Sequence, residues 1–177
     1  MPASSRLSQP LHYSDALLFR INRLRAVGGG LVLRYCEGQF GVTRREWVMI
    51  ALLADVACVS SSELARLSEM DKSATSKAVT ALLTKGLVER THRAGDRRFI
   101  ELALSESGRN LYNRILPVVS GINQEIMNGL TQQEVHVLDN LLTRMQKNVE
   151  KLRDRSIDLP RVARGHGGTR HQHSSIE

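Results

Sequence analysis

The fold is decided by the stretch Glu63–Leu102, ELARLSEMDKSATSKAVTALLTKGLVERTHRAGDRRFIEL. Its spacing of apolar residues predicts a short helix, a turn and a longer second helix. Two β-prone segments, Leu87–Arg93 and Phe99–Leu104, follow, and a basic turn at residues 94–98 joins them. This order predicts a mainly α protein with a small β-hairpin wing, arranged as a winged helix-turn-helix.

Capping residues place most of the other helix boundaries. Ser, Thr and Asp accept hydrogen bonds from the first free amides of a helix, and a Glu three positions later completes a capping box. Thr43–Glu46, Ser60–Glu63 and Thr131–Glu134 have this pattern, and Asp71 and Ser105 are further candidate caps. We predict helices over residues 44–55, 61–67, 72–85, 106–126 and 132–153, with Gly86 as a stop and a kink at Pro117.

A first helix is predicted from about His12 to Glu37, but the triplet Gly28–Gly30 interrupts its pattern. Each glycine costs about 1 kcal/mol relative to alanine inside a helix. The triplet therefore either breaks the helix or allows another backbone to approach closely. The predicted organisation is a flexible arm (1–11), a helical dimerisation region (12–40 and 105–154), a winged helix-turn-helix (41–104) and a disordered tail (155–177).

Composition limits the class of protein. The 177 residues carry a formal net charge of +7, and 41% of them are hydrophobic. Between Lys72 and Arg98 seven basic residues stand against two acidic ones, so the excess positive charge is concentrated in the decisive stretch and indicates a polyanionic partner. No apolar run is long enough to span a membrane, and we expect a cytoplasmic location.

The second helix of the motif has one face suited to DNA. Thr75, Val79, Leu82 and Leu83 form its apolar face. The opposite face presents short side chains and cations that can approach base edges and phosphates in the major groove. The predicted DNA contacts on this helix are Lys72, Ser73, Ala74, Ser76, Lys77 and Thr80.

The wing supplies a second set of cations. Arg97 and Arg98 stand at its tip and Arg93 at its root, and an arginine can enter a minor groove because the potential there is negative. Asp96 would be a poor direct contact to DNA. We expect it instead to orient and neutralise a neighbouring arginine.

The run from Leu64 to Gly108 resembles the signature block of MarR-type regulators. The matching motifs are Gly86-Leu87-Val88, Asp96-Arg97-Arg98 and the Leu-Ser-x-x-Gly sequence Leu104–Gly108. The resemblance implies a homodimeric transcriptional repressor, or less often an activator, that binds a pseudo-palindromic operator. It also implies dimerisation through the first and last two helices, and release of the DNA by a small, often aromatic and acidic, effector.

The last predicted helix carries an apolar seam. Its apolar residues recur with alternating spacings of three and four, which is typical of a helix that packs against a partner helix. A core-facing stripe of a monomer would have the same pattern, but the position of this helix at the end of the chain favours a homodimer. The seam consists of Val135, Leu138, Leu142, Met145, Val149 and Leu152.

An effector that is an aromatic acid needs an apolar slot with a cation or a hydrogen-bond donor. Candidate residues for such a site are Arg20, Arg34, Tyr35, Trp47 and His92. An alternative is a thiol-redox switch at Cys36 or Cys58. Thiol-sensing MarR-type regulators carry their reactive cysteine near the start of the first helix, and neither Cys36 nor Cys58 has that position.

Other classes of function have less support. A winged-helix module that binds protein instead of DNA stays an alternative, which a weak dependence of binding on salt would indicate. The sequence contains no paired carboxylates, Ser-His-Asp set, glycine-rich phosphate loop or metal-ligand cluster at the spacing that catalysis requires, so we expect no enzyme activity. His166, His171 and His173 could bind a metal, but they lie in the predicted disordered tail, where we expect no preorganised geometry, and we therefore expect neither a metal nor a cofactor.

Overall fold

The computed structural model describes residues 5–93 and 96–154, with the side chains of residues 93, 96–99, 153 and 154 excepted. A short 3-10 helix at Tyr13–Asp15 precedes the first long helix. The elements that follow are α1 (Leu17–Phe40), α2 (Arg44–Asp55), α3 (Ser61–Leu67), α4 (Lys72–Thr84), β1 (Val88–Arg93), β2 (Asp96–Leu104), α5 (Glu106–Ile126) and α6 (Gln132–Asp154). The predicted mainly α fold with a β-hairpin is confirmed.

The caps predicted from the sequence are present. Thr43 and Glu46 form a complete capping box at α2, and Asp71 and Ser105 accept from the first amides of α4 and α5. At α6 the Glu134 carboxylate accepts from the Thr131 amide at 2.8 Å. At α3 only half of the predicted box is formed: Ser60 Oγ accepts from the Glu63 amide, whereas the Glu63 carboxylate bonds to Arg66.

The glycine triplet does not break the first helix. α1 runs without interruption from Leu17 to Phe40. A Cβ at Gly28 would lie 2.8 Å from Cδ1 of Ile126 in α5. Neither predicted alternative holds as stated, because the helix is unbroken and the close neighbour at Gly28 is the side chain of Ile126 rather than a backbone. α5 likewise continues past Pro117.

The chain divides into two compact units, Met1–Asn128 and Gly129–Glu177. The core of the first unit is aliphatic and joins α1–α5 to the hairpin. It includes Met49, Ile50 and Leu53 of α2, Leu64 of α3, Leu82 of α4 and Ile115 of α5, each with no exposed surface. The second unit contains α6.

Two predicted segments lie outside the described residues in whole or in part. The tail 155–177 is not described, and only residues 5–11 of the predicted arm are. In the described part of the chain, no helix is both long and apolar enough to cross a membrane.

Candidate nucleic-acid interface

Helix α4 is anchored by one face and exposed on the other. Asp71 Oδ1 accepts from the Ala74 amide at 2.8 Å, which fixes the start of the helix. The hydroxyl of Thr75 donates back to the Asp71 carbonyl at 3.1 Å, so this polar residue is buried with its hydrogen bond satisfied. The buried face consists of Thr75, Ala78, Val79 and Leu82.

The residues predicted to contact DNA lie together on the other face of α4. Ala74 is half-buried, and the remaining five are exposed: Lys72, Ser73, Ser76, Lys77 and Thr80. Small side chains on this face leave room for close approach to a groove, and the two lysines bring positive charge to it. The structure thus brings the six residues onto one accessible surface.

Helix α3 braces α4. Leu64 and Ala65 of α3 are buried, and α3 packs directly on α4. Glu63 and Arg66 form an exposed ion pair within α3. The turn between the two helices contains Glu69 at φ 52°, a left-handed conformation that is uncommon for a residue with a side chain.

The hairpin differs from the prediction at its tip. The pairing is regular from Val88–Leu104 to His92–Ile100 and then shifts, so that Arg93 pairs with Asp96. β2 therefore begins at Asp96 rather than at the predicted Phe99, and the predicted turn 94–98 is shorter than expected. Charged residues had indicated a loop, but a strand in a two-stranded hairpin has a free edge that tolerates charge.

The side chains of the wing are not all described. Arg93, Asp96, Arg97 and Arg98 lie among the residues whose side chains are outside the described part of the structure. Their predicted contacts with DNA, and the orienting role of Asp96, stay predictions. Arg90 on β1 is exposed.

The start of α5 is joined to the end of α4 and to the wing. Ser105 Oγ donates to the Gly86 carbonyl at 2.7 Å and accepts from the Gly108 amide at 3.0 Å. Gly86 has φ +66°, which a glycine adopts without strain. A side chain at Gly108 would overlap the carbonyl oxygen of Leu87. This junction is why the Leu-Ser-x-x-Gly motif requires a glycine at its last position.

An ion pair that sequence reasoning missed joins α2 to the end of α4. Lys85 Nζ donates to Glu46 Oε2 and to the Gly41 carbonyl, both at 2.8 Å. Glu46 is only 3% exposed. Burial opposes its ionisation, but the bonds from Lys85 and Thr43 outweigh burial, and the pKa of Glu46 lies below its ordinary value. The capping pattern had indicated Glu46, but nothing in the sequence indicated a partner so far along the chain.

Residues 40–98, which contain α2 to the wing, match the sequence model of the MarR family. The chain is thus similar to the MarR family over about a third of its length. It is 30% identical over 95 residues to the HTH-type transcriptional repressor MdtR of Bacillus subtilis, a match that covers 54% of this chain and 61% of the relative. The chain thus spans about three fifths of the length of that curated relative.

Solved structures share the fold. A mutant of MarR from E. coli, complexed with operator DNA, is similar with a TM-score of 0.63 and 24% identity, over 73% of this chain and 92% of that one. BpsR of Bordetella bronchiseptica is similar with a TM-score of 0.66 and 21% identity, over 77% and 97%. The DNA binding of BpsR is regulated by 6-hydroxynicotinic acid. MdtR, the curated relative, is a transcriptional repressor.

The five residues predicted to bind an effector are not gathered in one cavity. Arg34 and Tyr35 line an open surface pocket of about 400 Å³ formed by α1 alone, whereas Arg20 lines a separate groove of about 440 Å³. Trp47 is in the core, where its ring stacks on that of Tyr112 with centroids 5.8 Å apart. His92 is exposed on β1.

The two cysteines have different surroundings. Cys36 has no exposed surface, and burial together with the nearby charge of Glu37 raises the pKa of its thiol. A raised pKa disfavours the reactive thiolate. Cys58 is exposed, and its Sγ donates to Glu101 Oε2 at 3.0 Å. Among the described residues, no group of three or more His, Cys, Asp or Glu is placed to hold a metal ion.

Proposed function

We propose that the protein is a sequence-specific DNA-binding transcriptional regulator that acts as a homodimeric repressor. The observation that carries this proposal is the exposed face of α4, where Lys72, Lys77 and short polar side chains lie opposite a fully packed apolar face. MdtR is a transcriptional repressor, and the structure of a MarR mutant was solved with operator DNA. Both findings support the same assignment.

The geometry suits insertion of α4 into a major groove. Its first turns carry Ser73, Ser76 and Lys77, which can bond to base edges, while Lys72 near the helix start can meet a phosphate. The wing would extend the contact to the adjacent minor groove through Arg97 or Arg98. Phosphate contacts of this kind release counterions, so affinity should fall steeply as salt rises.

The apolar stripe of α6 supports the homodimer. Val135 and Met145 are half-buried, whereas Leu138, Leu142, Val149 and Leu152 are 38–63% exposed. Exposed apolar residues arranged in one stripe are stabilised when a second helix covers them. A two-fold dimer would present two copies of α4 to successive major grooves, about 34 Å apart.

A small aromatic acid is the proposed releasing effector. The open pocket at Arg34 and Tyr35 on α1 combines a cation, a hydroxyl group and the apolar side chain of Leu31. A ligand there could favour a spacing of the two α4 helices that no longer matches DNA. If 6-hydroxynicotinic acid, salicylate and benzoate change neither DNA affinity nor thermal stability, control by this class of ligand is wrong.

Thiol control is the second candidate for the releasing signal. The exposure of Cys58, and its hydrogen bond to Glu101 in β2, place a thiol beside the wing. Oxidation there could disturb the hairpin. Mass spectrometry after mild peroxide treatment tests this: if Cys36 and Cys58 are both unmodified, the idea is refuted.

The proposed function is tested by selecting duplexes from a randomised DNA library with the wild-type protein. The expected result is an enriched pseudo-palindromic sequence whose affinity for the protein falls steeply between low and moderate salt. Failure to enrich any sequence would contradict the proposal. Binding to protein partners with little dependence on salt would support the alternative, a winged-helix interaction module.

A further inference from the structure

The end of α4 is held by a directional contact between the buried carboxylate of Glu46 and Lys85, whose side chain is 38% exposed. Lys85 is the C-cap residue directly after Thr84, and its ammonium bonds to both the Glu46 carboxylate and the Gly41 carbonyl. Glu46 Oε2 also accepts from the Thr43 amide at 2.6 Å. One cation therefore connects α4 to the loop after α1 and to the first turn of α2.

The Glu46–Lys85 contact restricts the orientation of α4, which the apolar face of the helix does not. Apolar side chains pack without strong directional preference, whereas an ion pair with three fixed hydrogen bonds selects one orientation. Even where both partners are buried, replacing an ion pair by apolar groups often costs little stability, and such pairs can instead specify geometry. The Glu46–Lys85 pair is thus suited to set the angle of α4.

The position of the pair amplifies small changes in this angle. The 13 residues of α4 span about 20 Å. Lys85 is at one end, and the predicted DNA contacts Lys72 to Lys77 are in the turns at the other end. A tilt of about 10° at Lys85 would move the first turn by about 3 Å, which is enough to misplace it in a groove.

We propose that Glu46 and Lys85 are positioning residues that fix α4 relative to the α1–α2 junction, and so set the spacing between half-sites that the dimer reads. This inference rests on the proposed DNA-binding function. Neither residue needs to touch DNA for it to hold. It assigns to the pair a role in specificity as well as in stability.

The experiment uses the duplex enriched by the wild-type protein and two derivatives with one base pair inserted or deleted between the half-sites. Glu46→Gln, Lys85→Met and the double variant are compared with the wild type at neutral pH. Urea unfolding first identifies conditions in which every variant is folded. Lys77→Met serves as the matched control, because it removes a cation from the DNA-facing surface but leaves the pair intact.

Each single variant is expected to lose about tenfold in affinity for the enriched duplex and to discriminate less between the three spacings. The double variant should lose no more than either single variant, because both act through one contact. Lys77→Met should bind all three duplexes more weakly but keep the wild-type preference. Glu46→Gln distinguishes positioning from direct binding, because freeing Lys85 would raise affinity if Lys85 contacted phosphate.

Three results would overturn the inference. These are wild-type affinity and spacing preference in both single variants, a loss confined to Lys85→Met, and a gain in affinity for Glu46→Gln. If the wild-type protein enriches no duplex, the proposed function itself fails. If it enriches one and the variants match it, only the positioning role is lost.

Discussion

Gly108 lies where the first turn of α5 meets the backbone at Leu87. Because a methyl group there would overlap the Leu87 carbonyl oxygen, Gly108→Ala should force the wing and α5 apart. We expect it to lower the free energy of unfolding by about 3 kcal/mol, as overpacking of a tight site does. Urea denaturation measures the change.

A glycine in open space provides the matched control for that prediction. A Cβ at Gly38 in α1 would meet no atom within 4 Å. Gly38→Ala should therefore raise the unfolding free energy by up to about 1 kcal/mol, since alanine is the better helix former. Equal effects of the two substitutions would refute the assignment of a tight junction at Gly108.

The ionised state of Glu46 gives a pH-dependent prediction at the same scale. Its pKa in the folded protein lies below the ordinary value of 4.5, so its contribution to stability is present above that pH and is lost as pH falls through the lower folded pKa. Glu46→Gln should lose about 2 kcal/mol of unfolding free energy at neutral pH, because bonds to a charged group are lost. Denaturation across a pH series should show this difference shrinking below pH 4.5, and a constant difference would contradict the assignment.

At the scale of elements, the wing carries a separate prediction. Arg97→Ala and Arg98→Ala should each weaken binding to the selected duplex by about 1 kcal/mol or more, because each removes a cation that can reach DNA. Light scattering should show that the variants keep the oligomeric state of the wild type. Arg25→Ala in α1 is the control and should bind as the wild type does. Wild-type affinity in both wing variants would remove the wing from the account of recognition.

Elements whose signals are local were predictable from the sequence. Thr43, Asp71, Ser105 and Thr131 each cap the predicted helix because a cap depends only on the next three residues. The predicted start of β2 was wrong by three residues, since the pairing partner of Asp96 is set by the shift at Arg93 and not by local composition.

Contacts between distant parts of the chain were not predictable. The Lys85–Glu46 pair joins residues 39 positions apart, and the sequence offered no reason to prefer this partner for either residue. The packing of Ile126 beside Gly28 is a similar case, because the glycine triplet did not indicate which residue of the chain would approach it. The division of α4 into a buried apolar face and an exposed polar face, in contrast, was predictable from helical periodicity alone.

At the scale of the whole molecule, the homodimer depends on the seam of α6. Leu142→Asp would place a charge in the middle of the proposed interface, and we expect at least a 100-fold weaker dimer, since an unpaired buried charge costs about 3 kcal/mol or more. Multi-angle light scattering across a dilution series measures this. Asn140→Asp makes the same change of charge on the opposite side of α6 and should dimerise normally. A normal dimer in Leu142→Asp would refute the assignment of the seam.

The central claim is that the exposed face of α4 binds DNA, and Lys77 tests it most directly. The measurement is the affinity of the selected duplex for wild type, Lys77→Ala and Lys147→Ala over a series of salt concentrations. Lys147 is an exposed lysine on α6 and is not one of the residues of the proposed DNA-binding surface. We predict that Lys77→Ala binds more weakly and, if Lys77 meets a phosphate, that its slope of log affinity against log salt is smaller in magnitude by about 1. Lys147→Ala should match the wild type, and wild-type affinity and slope in Lys77→Ala would contradict the account.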